Sequence, residues 1–240
     1  MEFRSQLETS SQVSALGPQP PDPSPQSPAS AVCACNPLRL NLAFSPEPAG
    51  VALETEVKLR IGNKAAVRDH LLQAGARPKR ERHFEDNFVL DFEDQSLRQS
   101  HALLRIRSTD RVCTVTYKGA PVPAGPFKQR EELEFTADDK AACLQLFRRL
   151  GLTVWFRYQK FREEFEVSCD AGVAHVAVDD TPIGGFMEIE ANESAIREVA
   201  AALGFRESDF LKESYYTLYE AECRRLGIQP ADMVFPDTSI

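Results

Sequence analysis

No stretch of this sequence approaches the roughly 18 consecutive apolar residues that would carry a helix across a bilayer. A secretory leader is not expected either, since Glu2 and Glu8 fall among mixed polar residues where a basic start and an apolar run would be needed. Both absences set a soluble, cytoplasmic expectation. Surplus positive charge is also lacking: 28 Lys and Arg against 36 Asp and Glu give a net charge of -8. That argues against a nucleic-acid partner, whose phosphates are met by an excess of outward-facing cations, so any polyanion has to be met locally. The six cysteines lack CxxC spacing and the four histidines show no ligand spacing with them. A disulfide-stapled scaffold and a soft-metal site are therefore not expected, and a reducing compartment is. Cys33-Ala34-Cys35 comes nearest to a metal motif and reads as loose thiols.

Proline concentrates between Gly17 and Pro28, where it removes backbone donors without adding apolar surface. A disordered tail is expected over residues 1–50, an ordered domain over 51–226 and a short tail over 227–240. With 42% hydrophobic residues the chain can bury one good core. Candidate strands run near 52–61, 83–92, 102–108, 111–118, 127–136, 155–168, 172–180 and 185–191, eight in all, a number that closes naturally into a barrel. Three amphipathic helices interrupt them. One is capped by Asn63 with Val67, Leu71 and Ala74 on its apolar face, one carries Ala142, Leu146 and Leu150, and one carries Ile196, Val199 and Leu203, each stopped by glycine. Each follows a Glu-x-Glu strand, and a last helix is expected from Asp209 to Leu226. The fold class is α+β, an eight-stranded β-barrel with flanking and C-terminal helices.

Charge occupies alternate positions of these strands. Glu54, Glu56 and Lys58 share one face while Val57 and Leu59 take the other; the alternation recurs in Arg105/Arg107, Arg130/Glu132/Glu134, Lys160/Arg162, Asp179 and Glu188/Glu190. Both signs crowded on each face suit a wet interior holding a charged guest. Carboxylates from neighbouring Glu-x-Glu strands repel by roughly 4 kcal/mol per pair at an effective dielectric near 20, so a cation has to offset them. A hard divalent ion such as Mg2+ takes oxygen ligands and leaves positions for substrate phosphates. Lys58, Arg105, Arg107, Lys118, Arg130, Lys160, Arg162 and Lys212 exceed what one monophosphate needs and match a triphosphate.

Glu54-x-Glu56-x-Lys58, Leu104-Arg105-Ile106-Arg107, Thr116-Tyr117-Lys118-Gly119, Arg130-x-Glu132-x-Glu134, Lys160-x-Arg162, and Asp179 followed by Gly184-Gly185-Phe186-Met187-Glu188-Ile189-Glu190 stand in an order that resembles the CYTH superfamily, the triphosphate tunnel metalloenzymes. The resemblance covers residues 51 to 222. It implies an eight-stranded antiparallel tunnel, a divalent metal (Mg2+ or Mn2+) and a small-molecule triphosphate substrate: inorganic tripolyphosphate, thiamine triphosphate or a nucleoside triphosphate. Class IV adenylyl cyclases share it. Position by position it implies Glu54, Glu56, Asp179, Glu188 and Glu190 as metal ligands, with Glu132 and Glu134 as helpers. Lys58, Arg105, Arg107, Lys118, Arg130, Lys160 and Arg162 become the triphosphate grip, and Lys212 the lysine of a C-terminal helix folded against the tunnel. Phe88 departs from the tyrosine that many members carry there, which removes a proton-transfer group.

Lys118 or Lys212, surrounded by cations that lower a lysine pKa, is the expected general base. Phosphate contacts account for every residue named and no base-reading motif is visible, so hydrolysis of a triphosphate is the reading. An adenylyl cyclase and a non-catalytic polyphosphate-binding module are the alternatives. Trp155 and Phe127 could stack on a substrate ring at the tunnel mouth but are expected in packing. Oligomeric state leaves no mark in the sequence.

Overall fold

Alternation such as Leu53-Glu54-Thr55-Glu56-Val57-Lys58-Leu59 gives a strand two faces of opposite character, and the fold uses both. The structure is a computed structural model that describes residues 52–110 and 112–236. The expected tail over 1–50 lies outside the described residues. Among the described residues nine strands form: β1 (Ala52–Ile61), β2 (Arg77–Phe92), β3 (Leu103–Ser108), β4 (Cys113–Lys118), β5 (Val122–Ala124), β6 (Phe127–Ala137), β7 (Leu152–Cys169), β8 (Gly172–Thr181) and β9 (Gly184–Glu190). Eight of them close into a ring, in the order β1-β9-β8-β7-β2-β3-β4-β6 with β6 returning to β1, and every pairing is antiparallel. The short β5 hangs on β6 as a hairpin arm. β2 starts at Arg77, earlier than expected, because its charged arm gains cross-strand ion pairs with β7, Lys79–Glu166 at 3.0 Å and Arg80–Glu164 at 3.8 Å.

The helices are α1 (Lys64–Gln73), α2 (Ser96–Gln99), α3 (Lys140–Arg149), α4 (Glu193–Ala202) and α5 (Tyr215–Leu226). Side-chain oxygens of Asn63, Asp139, Asn192 and Ser214 cap α1, α3, α4 and α5 by accepting from the otherwise unpartnered N–H groups of their first turns. α1, α3 and α4 each follow a Glu-x-Glu strand, and those three strands are neighbours in the ring, β6 beside β1 beside β9.

The main apolar core lies outside the ring. Val57, Leu59, Ile61, Met187 and Ile189 turn away from the lumen and pack under Leu71 of α1 and Ile196 and Val199 of α4. A second cluster places Leu90, Ile106, Val115 and Leu152 against Cys143, Leu144 and Phe147 of α3. This corrects the expected apolar face of that helix: Leu146 and Leu150 are 57% and 61% exposed, because the ring meets the turn that carries residues 143, 144 and 147. α5 begins at Tyr215, later than expected; the residues before it form a 3-10 turn (Glu207–Asp209) and a bridge in which Lys58 and Leu211 exchange backbone hydrogen bonds. Met233, completely buried, likewise exchanges backbone hydrogen bonds with Arg157 and Gln159 of β7.

One backbone contact sets the spacing of β1 and β9. A Cβ on Gly185 would stand 2.9 Å from the Ile61 carbonyl oxygen and 3.0 Å from its Cγ1. Gly185→Ala is expected to cost about 1–3 kcal/mol by overpacking, seen as a lower urea midpoint at unchanged slope. An unchanged midpoint would mean that the two strands part without cost.

Candidate active site

Following the inward positions around the ring gives an unbroken circuit of polar side chains. Glu54 stands opposite Arg130, Glu56 opposite both Lys128 and Glu190, and Lys58 opposite Glu188. The circuit continues with Arg162 opposite Asp179, Lys160 opposite Glu85, Asn87 opposite Arg107, Arg105 opposite Thr116, and Lys118 opposite Glu132. The lumen is a cavity of about 980 Å³. Of the residues expected from the sequence, Glu54, Glu56, Lys58, Arg105, Arg107, Lys118, Arg130, Lys160, Arg162, Glu188, Glu190 and Lys212 line it; Asp179 does not.

Asp179 is wholly buried behind that lining. It accepts from Lys160 Nζ at 2.9 Å, Arg162 Nε at 2.7 Å and Nη2 at 2.6 Å, and the Tyr215 hydroxyl at 2.6 Å. Four donors use the lone-pair capacity of one carboxylate, so the expectation of Asp179 as a metal ligand meets a group already satisfied. Burial opposes its charge, but Arg162 and Lys160 outweigh that and hold its pKa below the ordinary value. Glu188, beside Lys58 at 2.9 Å and Arg162, is held well below its ordinary value in the same way. This floor of the lumen is neutralised from within.

The other carboxylates are arranged differently. Glu56 and Glu190 face each other directly across β1 and β9, a like-charge pairing that costs stability. Glu54 is pushed up to about 7, first by burial and then by the Glu56 charge, despite its hydrogen bond from Lys118. Glu56 is held at about 2, since Lys128 at 2.6 Å and Lys58 outweigh its burial. Glu56 and Glu190 stand opposite each other with Glu54 two positions along β1, so the three offer neighbouring carboxylate oxygens of the kind a hard divalent cation takes.

A family model of the CYTH domain matches residues 52–215. The chain belongs to the CYTH domain family. A candidate adenylate cyclase of Methanocaldococcus jannaschii is 28% identical over 177 residues, 69% of this chain and 98% of that protein. Among solved structures, a candidate adenylate cyclase of Vibrio parahaemolyticus superposes with a TM-score of 0.59 at 19% identity, covering 70% of this chain and 98% of its own. The PH1012 protein of Pyrococcus horikoshii does so with a TM-score of 0.57 at 24% identity, covering 68% and 96%. These likenesses carry the fold of the CYTH domain.

Several lumen residues of this CYTH domain were missed from its sequence. Lys128 and Tyr158 sit two positions from residues already singled out, so the same alternation would have found them, and Glu85 and Asn87, buried behind the lining, share their parity along β2. Tyr215 had no such signal; α5 brings it over the lumen, where Tyr215 and Leu218 pack against Phe156, Tyr158 and Phe186. Phe88 has the opposite parity and turns outward, under Lys140 and Arg157. A tyrosine at 88 would not reach the lumen, whereas the Tyr158 hydroxyl lies 3.3 Å from Arg105 Nη1. Phe127 is core, as expected, while Trp155 lines the cavity beside Tyr216.

The expected lowering of the Lys118 pKa is corrected. Burial disfavours the Lys118 ammonium, yet Glu56 and Glu54 outweigh it and raise its pKa, because the carboxylates around Lys118 outweigh its one cationic neighbour, Arg105. Lys128 is the lysine whose pKa is lowered, by burial and by the neighbouring Lys58 and Arg130, although it touches Glu56. Lys212 precedes α5, and its ammonium donates to the Gly125 carbonyl on the β5–β6 turn.

These shifts fix how stability depends on pH. Glu56, with its pKa lowered from 4.5 to about 2, contributes stability that is present above 4.5 and lost as pH falls toward 2. Glu54, raised from 4.5 to about 7, acts oppositely: the folded state holds the extra proton, and stability is lost as pH rises from 4.5 through 7. Urea midpoints are expected to peak between those limits, and Glu54→Gln to remove the decline on the alkaline side. A wild-type curve flat from pH 4.5 to 7 would contradict the Glu54 assignment.

Proposed function

We propose that this CYTH domain hydrolyses a small-molecule triphosphate with a divalent metal, Mg2+ or Mn2+, bound at Glu54, Glu56 and Glu190. The observation that carries this reading is the two-sided lumen, in which the acidic strands β6, β1 and β9 face the cationic β7 and β3 across one cavity. When bound, the metal would neutralise phosphoryl oxygens and orient the chain of phosphates. Arg105 and Arg130 keep Nε donors without a hydrogen-bond partner, and with Arg107, Arg162, Lys58, Lys118 and Lys160 they supply a grip that favours charge spread over the transferred group. Asp179 and Glu188 hold Lys160, Arg162 and Lys58 in place. Lys128, with its lowered pKa, is the group suited to take the proton of the attacking water. Lys212 covers the mouth at Gly125. Free cysteines at 113, 143, 169 and 223 suit a reducing cytoplasm. No helix among the described residues is long and apolar enough to cross a membrane.

A second reading, cyclisation of a nucleoside triphosphate, has its own observation. A smaller cavity of about 460 Å³ is lined by Arg98, Trp155, Phe156, Tyr216 and Asp232 and shares the first four with the lumen, so an aromatic pocket adjoins the phosphate grip. The name of the Methanocaldococcus relative points the same way. Phosphate release and cyclic AMP formation, measured on one preparation with tripolyphosphate, thiamine triphosphate and ATP plus Mg2+ or Mn2+, separate the two. Phosphate release alone supports hydrolysis, cyclic AMP supports cyclisation, and neither product leaves a polyphosphate-binding module.

A further inference from the structure

Away from Glu54, Glu56 and Glu190, strands β2 and β7 bring His83, Glu85 and Glu164 together, with one potential ligand atom from each lying within 4.8 Å of the others. The bulge between Arg80 and His83 puts one extra residue into β2 opposite β7, a device that re-aims side chains beside functional sites. His83 Nδ1 lies 2.9 Å from the Glu81 carbonyl, which can only accept, so Nδ1 carries a proton. In the neutral ring Nε2 then offers a lone pair, and it faces Glu85 Oε1 at 3.4 Å and Glu164 Oε1 at 3.6 Å. With the ring neutral, three acceptors converge there with no donor among them.

Burial makes that arrangement costly. The His83 and Glu85 side chains are 9% and 0% exposed, and neither Nε2 nor either Glu85 oxygen has a hydrogen-bond partner. Arg107 Nε at 3.4 Å and Lys160 Nζ at 3.5 Å approach Glu85 through its other oxygen, Oε2, which leaves Oε1 for the focus. Arg80 approaches Glu164 only at 3.8 Å. An imidazole whose second nitrogen is held by a backbone carbonyl is the usual support of a metal-bound histidine.

We propose that His83, Glu85 and Glu164 form a second metal site, for a borderline divalent transition metal of the Zn2+ kind, separate from the hard-cation cluster of Glu54. One nitrogen and two carboxylates select such an ion over Mg2+, and three protein ligands leave a coordination position open. Its position ties the β2 arm to β7, and it holds whichever triphosphate chemistry the lumen performs.

Equilibrium dialysis of the full chain against Zn2+ in excess Mg2+ tests it. Wild type is expected to retain Zn2+, His83→Ala to bind it about 10–100-fold more weakly, and Glu54→Gln and His175→Ala to bind it as wild type does. Loss in Glu54→Gln with retention in His83→Ala would overturn the proposal. Should His83→Ala fail to fold, nitrogen-15 spectra of the wild-type histidine rings decide: Zn2+ is expected to move His83 Nε2 and leave Nδ1 protonated. A doubly protonated His83 ring that Zn2+ does not perturb would mean that an imidazolium fills the focus, and would overturn it equally.

Discussion

Arg162→Ala is expected to lower the unfolding free energy by about 3–5 kcal/mol, the cost of removing one partner from a buried ion cluster. The guanidinium gives two hydrogen bonds to Asp179 and another to Glu188, from a side chain 11% exposed, while Asp179 is fully buried. Without it Asp179 keeps only Lys160 and Tyr215, and Lys160 is shared with Glu85 and Glu188, whose other cations are Arg107 and Lys58. Arg162→Lys restores the charge but not the planar fork and is expected to recover only part of the loss. Adding Asp179→Asn to Arg162→Ala removes the orphaned charge and is expected to regain stability. Urea unfolding of the three variants measures this; a loss below about 1 kcal/mol for Arg162→Ala would show that the cluster is solvated and not a buried unit.

For turnover, the largest change is expected from Glu54→Gln and Glu56→Gln. Either substitution keeps the shape and removes one negative oxygen donor, and the rate with tripolyphosphate or ATP is expected to fall on the order of 10²-fold, the scale of losing one preorganised electrostatic contact. The metal concentration for half-maximal rate is expected to rise, more for Glu56→Gln, because Glu56 is the ionised member of the pair at neutral pH. Rate against Mg2+ and Mn2+ concentration reads both effects. A variant with reduced rate but an unchanged metal requirement would move the metal away from β1.

The alternation of charge made the lumen legible in the sequence, because a period of two assigns a face to every residue of a strand once one is assigned. Glu54, Lys58, Arg105, Lys160 and Glu190 all turn inward on that rule. Register is what the sequence does not carry. Nothing in the chain says that Lys118 comes to lie against Glu54 and Glu132, or that Lys128 lies between Lys58 and Arg130, so the lysine with the lowered pKa was placed on the wrong strand. Asp179 was legible as a lumen-facing acid but not as a saturated one, since its fourth donor, Tyr215, arrives from a helix distant in the chain. For α3 the helical period alone offers two apolar stripes, Ala142/Leu146/Leu150 and Cys143/Leu144/Phe147, and the contact with β3 and β4 chooses the second. His83 carries no metal-ligand signal in the sequence because its partners, Glu85 and Glu164, are carboxylates, and Glu164 comes from a strand distant in the chain.

Two of the pairings that cross the acidic wall, Lys118 with Glu54 and Lys128 with Glu56, join a group suited to phosphate with a group suited to a cation. A hydrogen-bonded circuit of strands has no hinge along which to widen, so a polyanion entering it would make room by swapping companions. Under the proposed triphosphatase reading, a lysine that turned to a phosphate oxygen would free a carboxylate for a metal, and a carboxylate taken by a metal would free a lysine. Each guest would then prepare the berth of the other, and the help each gave would be equal by thermodynamic reciprocity.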